Sequence, residues 1–141
     1  IFDREGQEFF TEYDEPTPKS IYGKTKYEGE KIVQKIATKY FIFRAGWMMG
    51  GGKKDKKFVK KILDQIDIKD VNKLHVVDDK LGTPTYTVDF IENMLPVIDK
   101  SYYGHYNQVC KGHCSRYEVA EEIVKHLKKN IRVEKVSSSY L

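Results

Sequence analysis

The five consecutive residues Tyr40-Phe41-Ile42-Phe43-Arg44 constrain this chain most. Four large apolar side chains in a row, with no polar alternation, form a short run of strand type that is expected to be buried on both faces. A helical pattern precedes it. Ser20 can cap a helix running from about Ile21 to Thr38, and Ile32, Val33 and Ile36 give that helix a face to bury. Asp14-Glu15-Pro16-Thr17-Pro18 is an extended, turn-rich lead-in, and residues 3–20 are expected to be a loop.

Helix and strand signals continue to alternate after the strand. Ala45 to Lys57 is a glycine- and lysine-rich loop that holds Trp47, the one tryptophan. Phe58, Val59, Ile62, Leu63 and Ile66 are the apolar side of a helix from about Asp55 to Ile66. Leu74 to Val77 is a short strand and Asp78 to Pro84 its turn. Tyr86 to Ile98 is a helix with Phe90, Ile91, Met94 and Leu95 inward, supported at its start by Asp89 and ended or kinked by Pro96. His105 to Val109 is a further strand. Ser115-Arg116-Tyr117-Glu118 has the spacing of a capping box and opens a helix to about Lys128. Ile131 to Val136 alternates like a last strand, and residues 137–141 fray or lead into further chain. No internal repeat and no dividing linker is evident.

Composition narrows the function classes. The 141 residues are 40% hydrophobic and 33% charged, which suits one globular domain. No apolar run approaches the roughly 20 residues that span a bilayer, so no membrane partner is expected. Lys53, Lys54, Lys56, Lys57, Lys60 and Lys61 form a dense basic run. It is either the solvated face of the following helix or a patch that attracts a pyrophosphate. The run is short and lacks interleaved aromatics, which argues against nucleic acid. Cys110 and Cys114 lack the second ligand pair of a structural zinc site, so no metal is expected, and their scarcity suits a reducing, cytoplasmic setting.

The chemistry sits earlier, in Tyr22-Gly23-Lys24-Thr25-Lys26. Tyr22 and Lys26 are four residues apart, one turn from each other on one helix face. A phenol ordinarily titrates near about 10, but a neighbouring ammonium favours the phenolate. A tyrosine tuned in this way can exchange a proton with a carbonyl or alcohol oxygen near neutral pH.

Several blocks in order carry a resemblance. Ile1-Phe2-Asp3, Tyr13-Asp14-Glu15-Pro16 and Tyr22 to Glu30 are followed by Phe43-Arg44-Ala45-Gly46-Trp47 and by Asp78-Asp79-Lys80-Leu81-Gly82-Thr83-Pro84-Thr85. Gly104-His105-Tyr106-Asn107 and Cys114 to Glu118 complete the series. Together they resemble the extended short-chain dehydrogenase/reductases, and among them the dTDP-4-dehydrorhamnose reductases.

The resemblance implies an α/β fold: the C-terminal portion of an NAD(P)-binding Rossmann-like reductase, with a small, mainly parallel sheet flanked by helices. Tyr40 to Arg44 would be one of its parallel strands. It also implies reduction of a 4-keto nucleotide sugar. Tyr22 would protonate the sugar oxygen, Lys26 would stabilise the phenolate, and Tyr22, Lys26 and Arg44 would meet NADP or NAD. Trp47, Gly82, Thr83 and Thr85 would line the substrate cleft; the alternative for Trp47, Met48 and Met49 is that they fill the core beneath a loop. No G-x-G-x-x-G occurs, and Gly50-Gly51-Gly52 lacks its spacing. The dinucleotide half and a third catalytic Thr or Ser are therefore expected upstream, and residues 1–141 are expected to be one domain or fragment. The alternatives are a nucleotide-sugar epimerase or dehydratase, which shares Y-x-x-x-K, and a non-catalytic relative such as the regulatory subunit of methionine adenosyltransferase. An unpaired sheet edge favours a homodimer or aggregation.

Overall fold

A computed structural model of the chain describes residues 2, 9–54, 57–68 and 71–140. Ile1 of the first resemblance block, loop residues 3–8, the expected helix start at Asp55, Lys56 of the basic run and Leu141 lie outside them, as does the side chain of Lys53. Four α-helices and eight short strands alternate along the described residues. The chain forms two compact units, Ile1–Ala45 with Ile91–Gln108, and Gly46–Phe90 with Val109–Leu141. No long linker joins them; the chain passes directly from one to the other.

In the first unit, helix α1 (Ile21–Ile36) leads to strand β1 (Phe41–Arg44). Ser20 caps α1 by accepting a hydrogen bond from Gly23 N–H at 3.1 Å, which satisfies one of the free donors of the first turn. Strand β6 (Gly104–Asn107) runs parallel to β1, with Phe41 opposite Gly104 and Arg44 opposite Asn107. Phe41 packs on Tyr103 with ring centres 5.0 Å apart, and Phe43 on Tyr106 at 5.4 Å. The expected strand is therefore present and parallel, but it is half-buried rather than covered on both faces. Among the described residues it has one strand neighbour, and aromatic rings supply much of its cover.

The face expected to bury α1 does so only at Val33, which is half-buried. Ile32 is 57% exposed and Ile36 76% exposed, and the buried residue of this helix is Gly23. A Cβ there would come within 2.9 Å of Pro18 Cβ. The helix is thus seated through its first turn on the proline-rich lead-in, with Ile32 and Ile36 facing outward and Val33 half-buried.

The second unit holds the larger core. Strands β2 (Trp47–Met49) and β5 (Pro84–Tyr86) pair in parallel, as do β3 (Lys73–Val77) and β8 (Arg132–Val136). Strands β4 (Leu81–Gly82) and β7 (Cys114–Ser115) pair antiparallel. Ile62 and Ile66 from helix α2 (Phe58–Ile66), Leu74 and Val76 from β3, and Ala120 and Val124 from helix α4 (Arg116–His126) form one buried cluster. Two expectations change here. The segment from Ala45 to Lys57 is not all loop, because β2 lies within it, and among the described residues the single expected sheet is four two-stranded ladders.

Helix α3 (Thr87–Asp99) begins in the second unit and ends in the first. Its expected inward residues Ile91 and Leu95 are each 48% exposed. Pro96 lies inside the helix, where its missing N–H leaves the Glu92 carbonyl without its helical donor, and the helix ends three residues later.

Candidate functional site

Tyr22 and Lys26 lie on the first two turns of α1, where the Ser20 cap and the Pro18–Gly23 contact fix the start of the helix. The Lys26 ammonium sits 5.5 Å from the centre of the Tyr22 ring, within cation–π range. Tyr22 is 73% exposed. Among the described residues neither its hydroxyl nor the Lys26 ammonium has a hydrogen-bond partner, so both are open to a ligand. Thr25 secures the same turn by donating its hydroxyl to the Tyr22 carbonyl at 2.9 Å.

Arg44 occupies a different setting. Its Nη2 lies 2.7 Å from Glu30 Oε2, and its Nε lies 3.2 and 3.1 Å from the two carboxylate oxygens. Nη1 reaches Asn107 Oδ1 at 3.4 Å. Glu30 is four residues beyond Lys26, on the stripe that carries Tyr22. The guanidinium therefore ties the C-terminal end of β1 to the helix that bears the tyrosine. Asn107 extends the network, donating its backbone N–H to Glu12 Oε1 at 2.6 Å and its amide to the Phe10 carbonyl at 3.2 Å.

Trp47, Gly82, Thr83 and Thr85 come together in the second unit. The β2–β5 ladder sets Trp47 beside Pro84, and the Trp47 backbone N–H donates to the Thr83 carbonyl at 2.9 Å. Gly82 lies so close to the indole that a Cβ would stand 2.1 Å from Trp47 Cε2; only glycine fits there. Thr83 donates its hydroxyl to the Gly112 carbonyl at 3.1 Å. Thr85 is 2% exposed and donates to the Thr83 carbonyl at 3.2 Å, so it shapes the turn from within.

One residue here escaped the sequence reading. Arg116, taken only as the interior of a capping box, has its guanidinium carbon 5.5 Å from the Trp47 ring and 5.6 Å from the Phe58 ring. The signal was indirect. The capping box is real, with Glu118 N–H donating to Ser115 Oγ at 3.2 Å and Ser115 N–H to Glu118 Oε2 at 2.6 Å. It makes Arg116 the first residue of α4, and the β4–β7 ladder brings that helix start beside Gly82. Trp47, Met49, Lys57, Phe58 and Arg116 are among the residues lining a cleft of about 320 Å³.

Elsewhere, Lys60 of the basic run is paired with Asp64. Cys110 and Cys114 are half-buried free thiols, and burial, with a smaller push from Glu118, raises the Cys114 thiol above its usual range. Among the described residues no group of three metal-ligating side chains converges, and no helix is long and apolar enough to cross a membrane.

Residues 1–140 match the RmlD substrate binding domain. The chain belongs to this family. The spore coat polysaccharide biosynthesis protein SpsK of Bacillus subtilis is 34% identical over 124 residues, 88% of this chain and 42% of that protein. A dTDP-4-dehydrorhamnose reductase of Clostridium acetobutylicum superposes with a TM-score of 0.90 at 40% identity, over 100% of this chain and 49% of its own. The enzyme of that name from Bacillus anthracis, solved in complex with NADP, gives 0.83 at 35% identity over 92% and 44%. The chain thus spans less than half the length of each of these relatives. The expected family and the mixed α/β class with small parallel sheets and flanking helices are borne out.

Proposed function

We propose that this chain supplies the proton-transfer helix and the substrate-binding region of a cytoplasmic NAD(P)-dependent reductase of 4-keto nucleotide sugars. The observation that carries this reading is the Tyr22–Lys26 pair, set on a capped first turn with both polar ends open, in a chain whose residues 1–140 match the RmlD substrate binding domain. The family relatives named dTDP-4-dehydrorhamnose reductase, one of them bound to NADP, support the substrate class and the cofactor.

In this reading a nicotinamide cofactor, when bound, supplies the hydride that reduces the sugar carbonyl. Tyr22 holds the proton that the developing alkoxide takes up. Lys26 favours the phenolate that Tyr22 leaves behind and contributes donors for a ribose hydroxyl. Arg44 serves the cofactor side by fixing the helix through Glu30. Trp47 offers a flat apolar surface for the sugar, backed by Gly82, while Thr83 and Thr85 shape the facing turn. A homodimer is part of the same proposal.

The test is a reductase assay on the intact protein, with dTDP-4-keto-6-deoxy sugar and NADPH, following loss of reduced nicotinamide. Turnover that falls roughly 100-fold or more in Tyr22→Phe, with substrate still bound, is the expected result. Wild-type protein that binds the sugar nucleotide but never oxidises NADPH would end the proposal.

A further inference from the structure

We infer that Arg116 is the anion-gripping residue of the Trp47 cleft and takes the phosphate groups of a nucleoside diphosphate; this rests on the proposed sugar-nucleotide reading. Arg116 is held by ring contacts to Trp47 and Phe58 at 5.5 and 5.6 Å. Such contacts restrain a guanidinium through its charge. They use none of its five N–H donors, which lie in the plane of the group and point outward from its edges. Among the described residues no carboxylate or carbonyl accepts from them, and Arg116 is exposed, so the donors face solvent. The result is a cation already fixed in place with its hydrogen-bonding capacity unused.

Its surroundings select the sign and class of ligand. The cleft is lined by apolar residues together with Lys57 and Arg116, and among its described lining there is no acidic side chain. Its volume, about 320 Å³, reaches the range of small-molecule sites. A guanidinium fork matches phosphate oxygens in bidentate fashion. The same arginine touches the ring proposed to carry the sugar. In a sugar nucleotide the anionic group bonded directly to the sugar is the diphosphate, so an anion site beside a sugar-bearing ring fits that group.

Glutamine at position 116 keeps a good helix former at the first position of α4 and removes the charge. For the intact protein, calorimetric titration with dTDP should show binding about 10- to 100-fold weaker in Arg116→Gln than in wild type. Arg116→Lys, which keeps the charge and loses the fork, should recover part of the loss. Inorganic pyrophosphate should compete with dTDP in wild type and in the lysine variant, and far less in the glutamine variant. A role in helix packing alone would move none of these differences between Lys and Gln. Equal dTDP affinity in wild type and Arg116→Gln overturns the inference while leaving the reductase reading intact. Wild-type protein that binds no dTDP overturns it as well. Arg116-dependent dTDP binding without any ketosugar reduction upholds the anion site and sinks the reductase reading instead.

Discussion

Arg44 and Glu30 face each other as a bidentate ion pair, with their side chains only 11% and 12% exposed. Removing one member of so buried a pair leaves the other charge without compensation. Glu30→Ala should therefore destabilise the protein by roughly 3 kcal/mol. Replacing both, as in Glu30→Leu with Arg44→Met, should cost much less, because no charge is then stranded. Urea denaturation of the three proteins measures the contrast; equal losses in the single and double variants would mean that the pair itself, not its unmatched remainder, carries the stability.

Trp47→Ala is expected to raise KM for the nucleotide sugar well above its effect on cofactor affinity, since the indole belongs to the substrate side of the proposed chemistry. Steady-state kinetics on the intact protein, varying each ligand in turn, separates the two. A larger effect on NADPH than on the sugar would assign the cleft to the cofactor.

Gly82→Ala should push the indole aside. With a Cβ only 2.1 Å from Trp47 Cε2, something must shift, at a cost of roughly 1–3 kcal/mol. Trp47 is the only tryptophan, so its emission spectrum reports the displacement directly. An unchanged spectrum and melting temperature would show that the strand relaxes around the added methyl.

The framework of the fold was legible in the sequence because periodicity and caps are local signals. Ser20 and the Ser115–Glu118 box mark helix starts within a residue or so, and Phe41 to Phe43 could be little other than a strand. Cover was not legible. The spacing of Ile32 and Ile36 says that α1 has an apolar face, not that anything packs on it. β2 was hidden in a glycine-rich stretch of only three strand residues, whose partner lies about forty residues away. Arg116 was missed because its neighbours Trp47 and Phe58 are distant in sequence, and no motif at position 116 announces a ring contact.

Asp78 makes stability depend on pH. It accepts from Ser115 Oγ at 2.6 Å and pairs with Lys135 at 2.9 Å, and these bonds, the serine's first, hold its carboxyl below the usual range. A carboxyl whose folded value is lowered stabilises the fold fully above its unfolded value, about 4. That contribution disappears as pH falls from there through the lower folded value. Asp78→Asn should therefore flatten the acid side of the stability profile, leaving the neutral-to-acid loss smaller than in wild type. Parallel acid titrations by circular dichroism would register this, and superimposable slopes would rule out the linkage.

The two compact units are stitched from alternating segments, and this sets an order of completion during synthesis. All of the first unit has been made once Gln108 leaves the ribosome. The second cannot close until Arg132–Val136 arrives to pair with Lys73–Val77, so Ile62, Leu74 and Val76 emerge well before Ala120 and Val124 exist to cover them. A nascent chain stalled between Gln108 and Arg132 carries every segment of the first unit and a second unit with its interior open to water, the state in which it most needs a chaperone.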